Sequence, residues 1–297
     1  MLTRFPATAA ALLALAALSG CGGAAETAAP PSPSATAAMD KKHQLEATKA
    51  DCMKQQGFKY VAFVYQDPPE SEESRKRSSG DYQEMRKFRE KYGFGVFREF
   101  VYPEESKSEN ATPETNPNGK IQGSLSKAQF KAYEKAMTVC EATSYKQVLG
   151  LDVKSQMDYL GQGKKARDRA LKSELNADPQ LVQLASAMAT CLKGKGYTIG
   201  DTTPVALSDR GWREFFAQMD KLGRAQRDDV PDVAPPVKEG EIAMSYWPTL
   251  TPQQARPYLN KEIKAALDDI ECGKDFYPAY KPKESAIQQK VNEQFGM

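Results

Sequence analysis

A seven-residue segment occurs twice in this chain, and each copy carries a cysteine. Cys52-Met53-Lys54-Gln55-Gln56-Gly57-Phe58 aligns without gaps on Cys191-Leu192-Lys193-Gly194-Lys195-Gly196-Tyr197. Each copy reads cysteine, long apolar residue, lysine, two residues, glycine, aromatic residue. Further on, Leu125-Ser126 with Gln129 leads a helical pattern ending at Cys140, and Leu250-Thr251 with Gln254 leads one ending at Cys272. The shared order is a cysteine helix, a glycine–aromatic exit, a variable middle, a leucine–hydroxyl start and a second cysteine helix. A mainly α fold with a minor β component is expected, in two similar disulfide-containing helical halves. Four cysteines allow three pairings, and spacing alone does not choose. The simplest pairing lies within the repeats, Cys52–Cys140 and Cys191–Cys272. The rival, Cys52–Cys191 with Cys140–Cys272, joins equivalent helices across the halves. A bridge closing a loop of eighty to ninety residues stabilises by roughly 4–5 kcal/mol in the chain-entropy model.

The fifth cysteine belongs to a different kind of segment. Arg4 begins a short positive region, and Ala7 to Leu18 is an apolar run rich in Ala and Leu. Twelve helical residues rise about 18 Å, short of the roughly 30 Å hydrocarbon core. Residues 1–20 therefore read as a secretory signal peptide rather than a spanning helix. Leu18-Ser19-Gly20-Cys21 closes that signal with a branched apolar residue, two small residues and a cysteine, the pattern of a bacterial lipobox. The Cys21 thiol is the nucleophile that would take a diacylglyceryl group, and two acyl chains anchor stably. Residues 21–39 are rich in Ala, Pro, Ser and Thr, with Glu26 as the one charge before Asp40 apart from the chain's start. So little apolar surface reads as a disordered tether. Export makes the compartment oxidising, and the even count of Cys52, Cys140, Cys191 and Cys272 suits two disulfides.

Several short patterns recur in one order: the lipobox, Cys52 to Tyr60, Tyr92-Gly93-Phe94-Gly95, Tyr133-Glu134 with Ala136 and Cys140, Cys191 to Tyr197, and Glu262, Ala266 and Asp269 leading to Cys272. In this order the chain resembles a family of uncharacterised secreted lipoproteins of actinobacteria, over about Lys49 to Cys272. The family's Trp shortly before the third cysteine is missing, where Ala187 and Met188 stand. The resemblance implies a location and a disulfide pattern, and it implies no chemistry.

Beyond the tether the expected halves are residues 40–160 and 161–297. Apolar periodicity predicts helices over Asp40 to Gln56, around Phe130 to Cys140, from Asp178-Pro179 to Gly196, from Ser208 to Gly223 and around Leu259 to Ile270. Asp81 to Lys91, Lys164 to Leu175 and Ser285 to Gln294 give weaker helical patterns. Phe58 to Tyr65 and Phe94 to Tyr102 are β-prone and could pair as a small sheet. Residues 67–80, 104–123 and 226–240 read as long loops.

The 41 basic and 39 acidic residues nearly cancel, so no basic field for nucleic acid is expected. One histidine cannot build a His-rich zinc site, and it leaves a catalytic triad only His43 to draw on, which stands at the tether's end and reads as exposed and inert. No catalytic residue, metal ligand or cofactor is assigned. The acids Asp268, Asp269 and Glu271 cluster beside Cys272, but neighbouring helical residues splay around the axis. Glu70 to Glu73 followed by Arg75-Lys76-Arg77 reads as a solvated loop, and Asp228-Asp229 with Asp232 lacks a calcium loop's glycine and terminal Glu. Tyr246-Trp247-Pro248 and Phe276-Tyr277-Pro278-Ala279-Tyr280 place aromatics beside prolines in non-helical segments, as groove linings or as seals on the core. The expectation is a lipid-anchored binding or scaffolding module on the extracytoplasmic face, with an envelope protein or wall polymer as partner. A carboxylate-dependent hydrolase of wall polymer and a transporter's substrate-binding lipoprotein are the alternatives.

Overall fold

Capping and exit signals set the helices. The computed structural model describes residues 33–65, 69–105, 116–236 and 243–297, so the signal segment, Cys21 and most of the tether lie outside them. The helices that follow are α1 (Pro33–Gln55), α2 (Glu72–Ser78), α3 (Tyr82–Tyr92), α4 (Arg98–Val101), α5 (Asn118–Gly123), α6 (Lys127–Leu149), α7 (Gln156–Leu175), α8 (Pro179–Gly194), α9 (Pro204–Arg224), α10 (Pro252–Cys272) and α11 (Phe276–Phe295). Among the described residues, none is long and apolar enough to cross a membrane.

The repeated motifs take the same local form twice. Ser126 and Gln129 close a capping box at the start of α6, and Thr251 and Gln254 close one at the start of α10. Gly57 and Gly196 adopt φ of 82° and 90° at the ends of α1 and α8. After them, Phe58 donates its N–H to Met53 O and Tyr197 donates to Leu192 O, at 2.9 and 3.0 Å. That six-to-one bond, with Gly57 bonding Lys54 and Gly196 bonding Lys193, is the Schellman termination a glycine permits. The disulfides follow the within-repeat pairing: Cys52–Cys140 ties α1 to α6 and Cys191–Cys272 ties α8 to α10, each with Cα atoms 5.5 Å apart.

The apolar clusters cross the expected boundary at residue 160. Leu181, Ala185, Met188 and Leu192 of α8 pack with Leu175, Leu207, Ile270, Phe276, Tyr277 and Tyr280, and Met85 of α3 joins them. Phe97 and Val101 pack on Phe215, Met219 and Leu259. Leu45 and Tyr145 pack on Tyr159, Val291 and Phe295. Residues 31–297 accordingly form one unit.

The expected minor β component is corrected: among the described residues there is no strand. Phe58 to Tyr65 forms neither helix nor strand, and the backbone groups of Val61 find a side chain instead. Asn118 Oδ1 accepts the Val61 N–H at 2.9 Å, and Asn118 Nδ2 donates to Val61 O at 2.8 Å. One side-chain amide thus does what a partner strand would do for that residue. Its aromatics point to helices, with Phe58 edge-on to Tyr133 and the Tyr60 hydroxyl donating to Glu46 at 2.6 Å. In Phe94 to Tyr102, Gly95 turns the chain at φ 98° and α4 begins at Arg98.

Other boundaries also moved. The loop expected over 67–80 contains α2, because Ser71 caps it, Glu72 and Glu73 occupy its first turn, and Arg75 to Arg77 occupy its last. The loop expected over 104–123 contains α5. Helix α1 starts at Pro33, inside the stretch read as tether, and α9 starts at Pro204, whose ring sets the first helical φ. Phe276 to Tyr280, expected to be non-helical, opens α11. Pro278 sits in its first turn, where a missing N–H breaks no helical bond.

Candidate functional site

The acids beside Cys272 separate completely. Asp269 is fully buried, and Arg89 of α3 donates to its Oδ1 at 2.6 Å while the Tyr277 hydroxyl donates to the same oxygen at 2.5 Å. Arg210 Nη2 stands 3.6 Å from Oδ2. Burial pushes the Tyr277 hydroxyl well above the usual tyrosine range, and the nearby Asp269 charge adds to it. Asp268 faces the other way, accepting from Lys195 at 2.9 Å, Tyr197 at 2.8 Å and Lys264 at 3.0 Å. Burial raises its carboxyl, and those three donors overcome it and hold it down to about 2. Glu271 meets Lys195 at 3.1 Å. One acid therefore holds α3 to α10, and the other two hold the exit after α8 to α10.

Glu262 of α10 is buried; the sequence marks it only as a member of the pattern leading to Cys272 and assigns its carboxylate no role. Its two carboxylate oxygens accept the backbone N–H groups of Val96 and Phe97 at 2.8 and 2.9 Å, just ahead of α4. Gly93 lets the chain lie against it: a Cβ there would stand 2.6 Å from Glu262 Cγ. Burial raises the Glu262 carboxyl to about 7 against the lowering effect of those N–H bonds.

The aromatic segments divide. Phe276, Tyr277 and Tyr280 are core residues. Trp247 is half exposed and leans on Phe100 at 5.5 Å, while Tyr246 lies under Arg224 at 4.7 Å. Arg224 is fully buried; it donates to Asp220 at 2.7 Å and to the carbonyls of Pro231 and Met244. Asp220 also accepts the Tyr246 N–H at 2.7 Å. This pair clamps the segment around Tyr246 onto α9. Trp212, missed as a surface feature, is also half exposed and stacks on Phe216 at 4.6 Å.

The remaining candidates are dispersed. His43 is exposed on α1. Asp229 pairs with Arg227 at 2.6 Å. Among the described residues, no three His, Cys, Asp or Glu side chains gather as a metal site. Cys21 lies outside the described residues. Cavities open instead where helix ends meet. One of about 250 Å³ lies between the end of α2, α3, the turn after it and α11, with Arg77, Arg89 and Lys281 in its wall. Another of about 210 Å³ lies under Phe63 and Tyr65, beside the stacked pair Tyr145 and Tyr159, whose rings are 4.1 Å apart. Neither was legible in sequence, because each draws its residues from helices far apart in the chain. No family model matches this chain, and no curated protein and no solved structure matches it.

Proposed function

We propose that the chain is a membrane-anchored extracytoplasmic lipoprotein that acts as a binding or scaffolding module at the cell envelope. The observation that carries this reading is the division of its five cysteines. Cys52, Cys140, Cys191 and Cys272 pair with one another, which leaves Cys21 as the cysteine for another purpose. It stands at the end of an apolar signal run, in a lipobox pattern, where a thioether to lipid would hold the body at a membrane. Disulfides in both repeats suit an oxidising compartment. Binding is favoured over hydrolysis because the clustered acids of α10 are held by Arg89, Tyr277, Lys195, Tyr197 and Lys264, within structural ion pairs.

Fractionation tests the anchor. The wild type should sediment with membranes, and Cys21→Ala should move to the soluble extracytoplasmic fraction. A Cys21→Ala protein that stays in the membrane fraction ends the lipoprotein reading. Capture of the anchored protein from its own envelope should recover an envelope protein or wall polymer above a Cys21→Ala control.

A further inference from the structure

The cavity between α2, α3 and α11 brings three cations together from three helices. Arg77 lies in the last turn of α2, Arg89 in the last turn of α3, and Lys281 in α11. Among the described residues that line it, none is acidic. Phe88, Phe94 and Met85 supply the rest of the wall, with Ser78 and Gly93 at its edges.

The cations are held in fixed positions. The Arg77 guanidinium lies 4.4 Å over the Phe88 ring, and Arg89 lies 5.1 Å over Phe94. A guanidinium stacked on a ring keeps its plane and aims its donors in a fixed fork. Arg89 is buried, and it binds Ala266 O and Asp269 through Nη1 while still lining the cavity. Lys281 pairs with Glu284 at 2.7 Å. Arg77 differs from both: among the described residues its one side-chain hydrogen bond, at 3.2 Å, goes to the neutral Ser74 hydroxyl. Glu70 reaches that cluster only through the serine hydroxyls, accepting from Ser74 at 2.7 Å and from Ser78 at 3.2 Å. Among the described residues no carboxylate pairs directly with Arg77.

We infer that this cavity is a binding site for a small organic oxyanion, a phosphate or carboxylate carried on a compact apolar body. The oxyanion would meet Arg77 and Lys281, with the buried Arg89 behind them, and the body would lie on Phe88 and Phe94. Fixed guanidinium forks match both phosphate and carboxylate. A space of about 250 Å³ is below the range of drug-sized pockets and suits a ligand of roughly one ring. The inference deepens the binding reading by naming a ligand class, and it is independent of the lipid anchor.

Calorimetric titration of the full chain in detergent tests it, with phenyl phosphate and benzoate as probes and benzyl alcohol as the neutral control. Saturable binding of at least one anion is expected, with benzyl alcohol at least tenfold weaker. Arg77→Ala should weaken the anion at least tenfold and leave benzyl alcohol unchanged. Lys281→Gln should weaken it several-fold, and serves alone if Arg77→Ala melts early. Vesicles containing phosphatidylglycerol distinguish a lipid headgroup from a free anion: Arg77-dependent co-sedimentation of the Cys21→Ala protein would assign the site to headgroups. Vesicle binding that Arg77→Ala leaves intact, with neither soluble anion bound, would overturn the site in favour of a diffuse surface attraction. Equal binding of benzyl alcohol, no saturable binding, or full affinity in both variants would overturn it as well. Because fractionation reads Cys21 and titration reads Arg77, failure of one leaves the other interpretable.

Discussion

Glu262 accepts the backbone N–H of Val96 at 2.8 Å, across 166 residues of sequence. The same carboxylate holds the Phe97 N–H, so one buried acid on α10 fixes the turn that leads into α4. Burial lifts its carboxyl from the ordinary value near 4.5 to about 7. The folded protein therefore keeps a proton that the unfolded chain releases, over the window between those values. Stability from this group is fully present below pH 4.5 and is lost as pH rises through 7. Over that window the slope is about 1.4 kcal/mol per pH unit. Urea unfolding of wild type and Glu262→Gln at half-unit steps from pH 5 to 8 should show that slope as an excess in the wild type up to about pH 7, flattening above it. Equal slopes in both proteins would remove Glu262 as its source.

Arg89 and Asp269 make a buried ion pair joining α3 to α10. Removing one partner leaves the other charge in the interior without its match. Asp269→Ala and Arg89→Met should each destabilise by about 3–5 kcal/mol. In the double variant Arg89→Met/Asp269→Ala both charges are gone, and its loss should fall clearly below the sum of the single losses. A double-mutant cycle by urea denaturation measures the coupling. Strict additivity would mean that the two residues act separately.

What was legible in sequence was local. Ser126 and Thr251 stand three residues before Gln129 and Gln254, and those boxes formed. Asp178 before Pro179 caps α8, accepting from Gln180 and Leu181. The order of the motifs favoured the within-repeat disulfides over their cross-repeat rival, and those are the bridges that form. What failed depended on distant partners. Aromatic spacing in Phe58 to Tyr65 carries no information that Asn118 will take both ladder groups of Val61. The run from Phe94 to Tyr102 does not announce that Glu262 will take its N–H groups or that Phe97 will stack on Tyr258 at 5.1 Å. Helix α2 was hidden by its charges, whose order along a helix dipole was the overlooked signal. The cavity at Arg77 escaped for the same reason that the β-prone runs misled: its three cations are neighbours only after α2, α3 and α11 pack.

Two helical glycines should respond in opposite directions to alanine. At Gly223 a Cβ would stand 1.9 Å from the Tyr246 carbonyl oxygen, which is backbone held by the Asp220–Arg224 clamp. At Gly194 a Cβ meets nothing within 4 Å. Gly223→Ala should destabilise by about 2 kcal/mol or more, since the contact must move backbone. Gly194→Ala should stabilise by about 0.5–1 kcal/mol through helix propensity. Thermal melts of the two variants decide it, and a Gly223→Ala protein as stable as wild type would show that the clamped segment yields freely.

The two disulfides separate loop closure from packing. Their loops span 88 and 81 residues, so the chain-entropy contribution of each is about 4–5 kcal/mol and the two differ negligibly. Their surroundings differ. Cys140 is fully buried with Met53, Tyr133 and Ala136, whereas Cys191 is exposed at the end of α8. Replacing the first pair by alanine removes packed sulfur as well as the loop constraint. The Cys52→Ala/Cys140→Ala protein should therefore lose more stability than Cys191→Ala/Cys272→Ala, by about 1 kcal/mol. Guanidinium denaturation of the two double variants measures that difference. A larger loss for the Cys191–Cys272 pair would place the stronger constraint at the α8–α10 junction, where Cys272 packs on the apolar cluster and Lys195 and Tyr197 already bind Asp268.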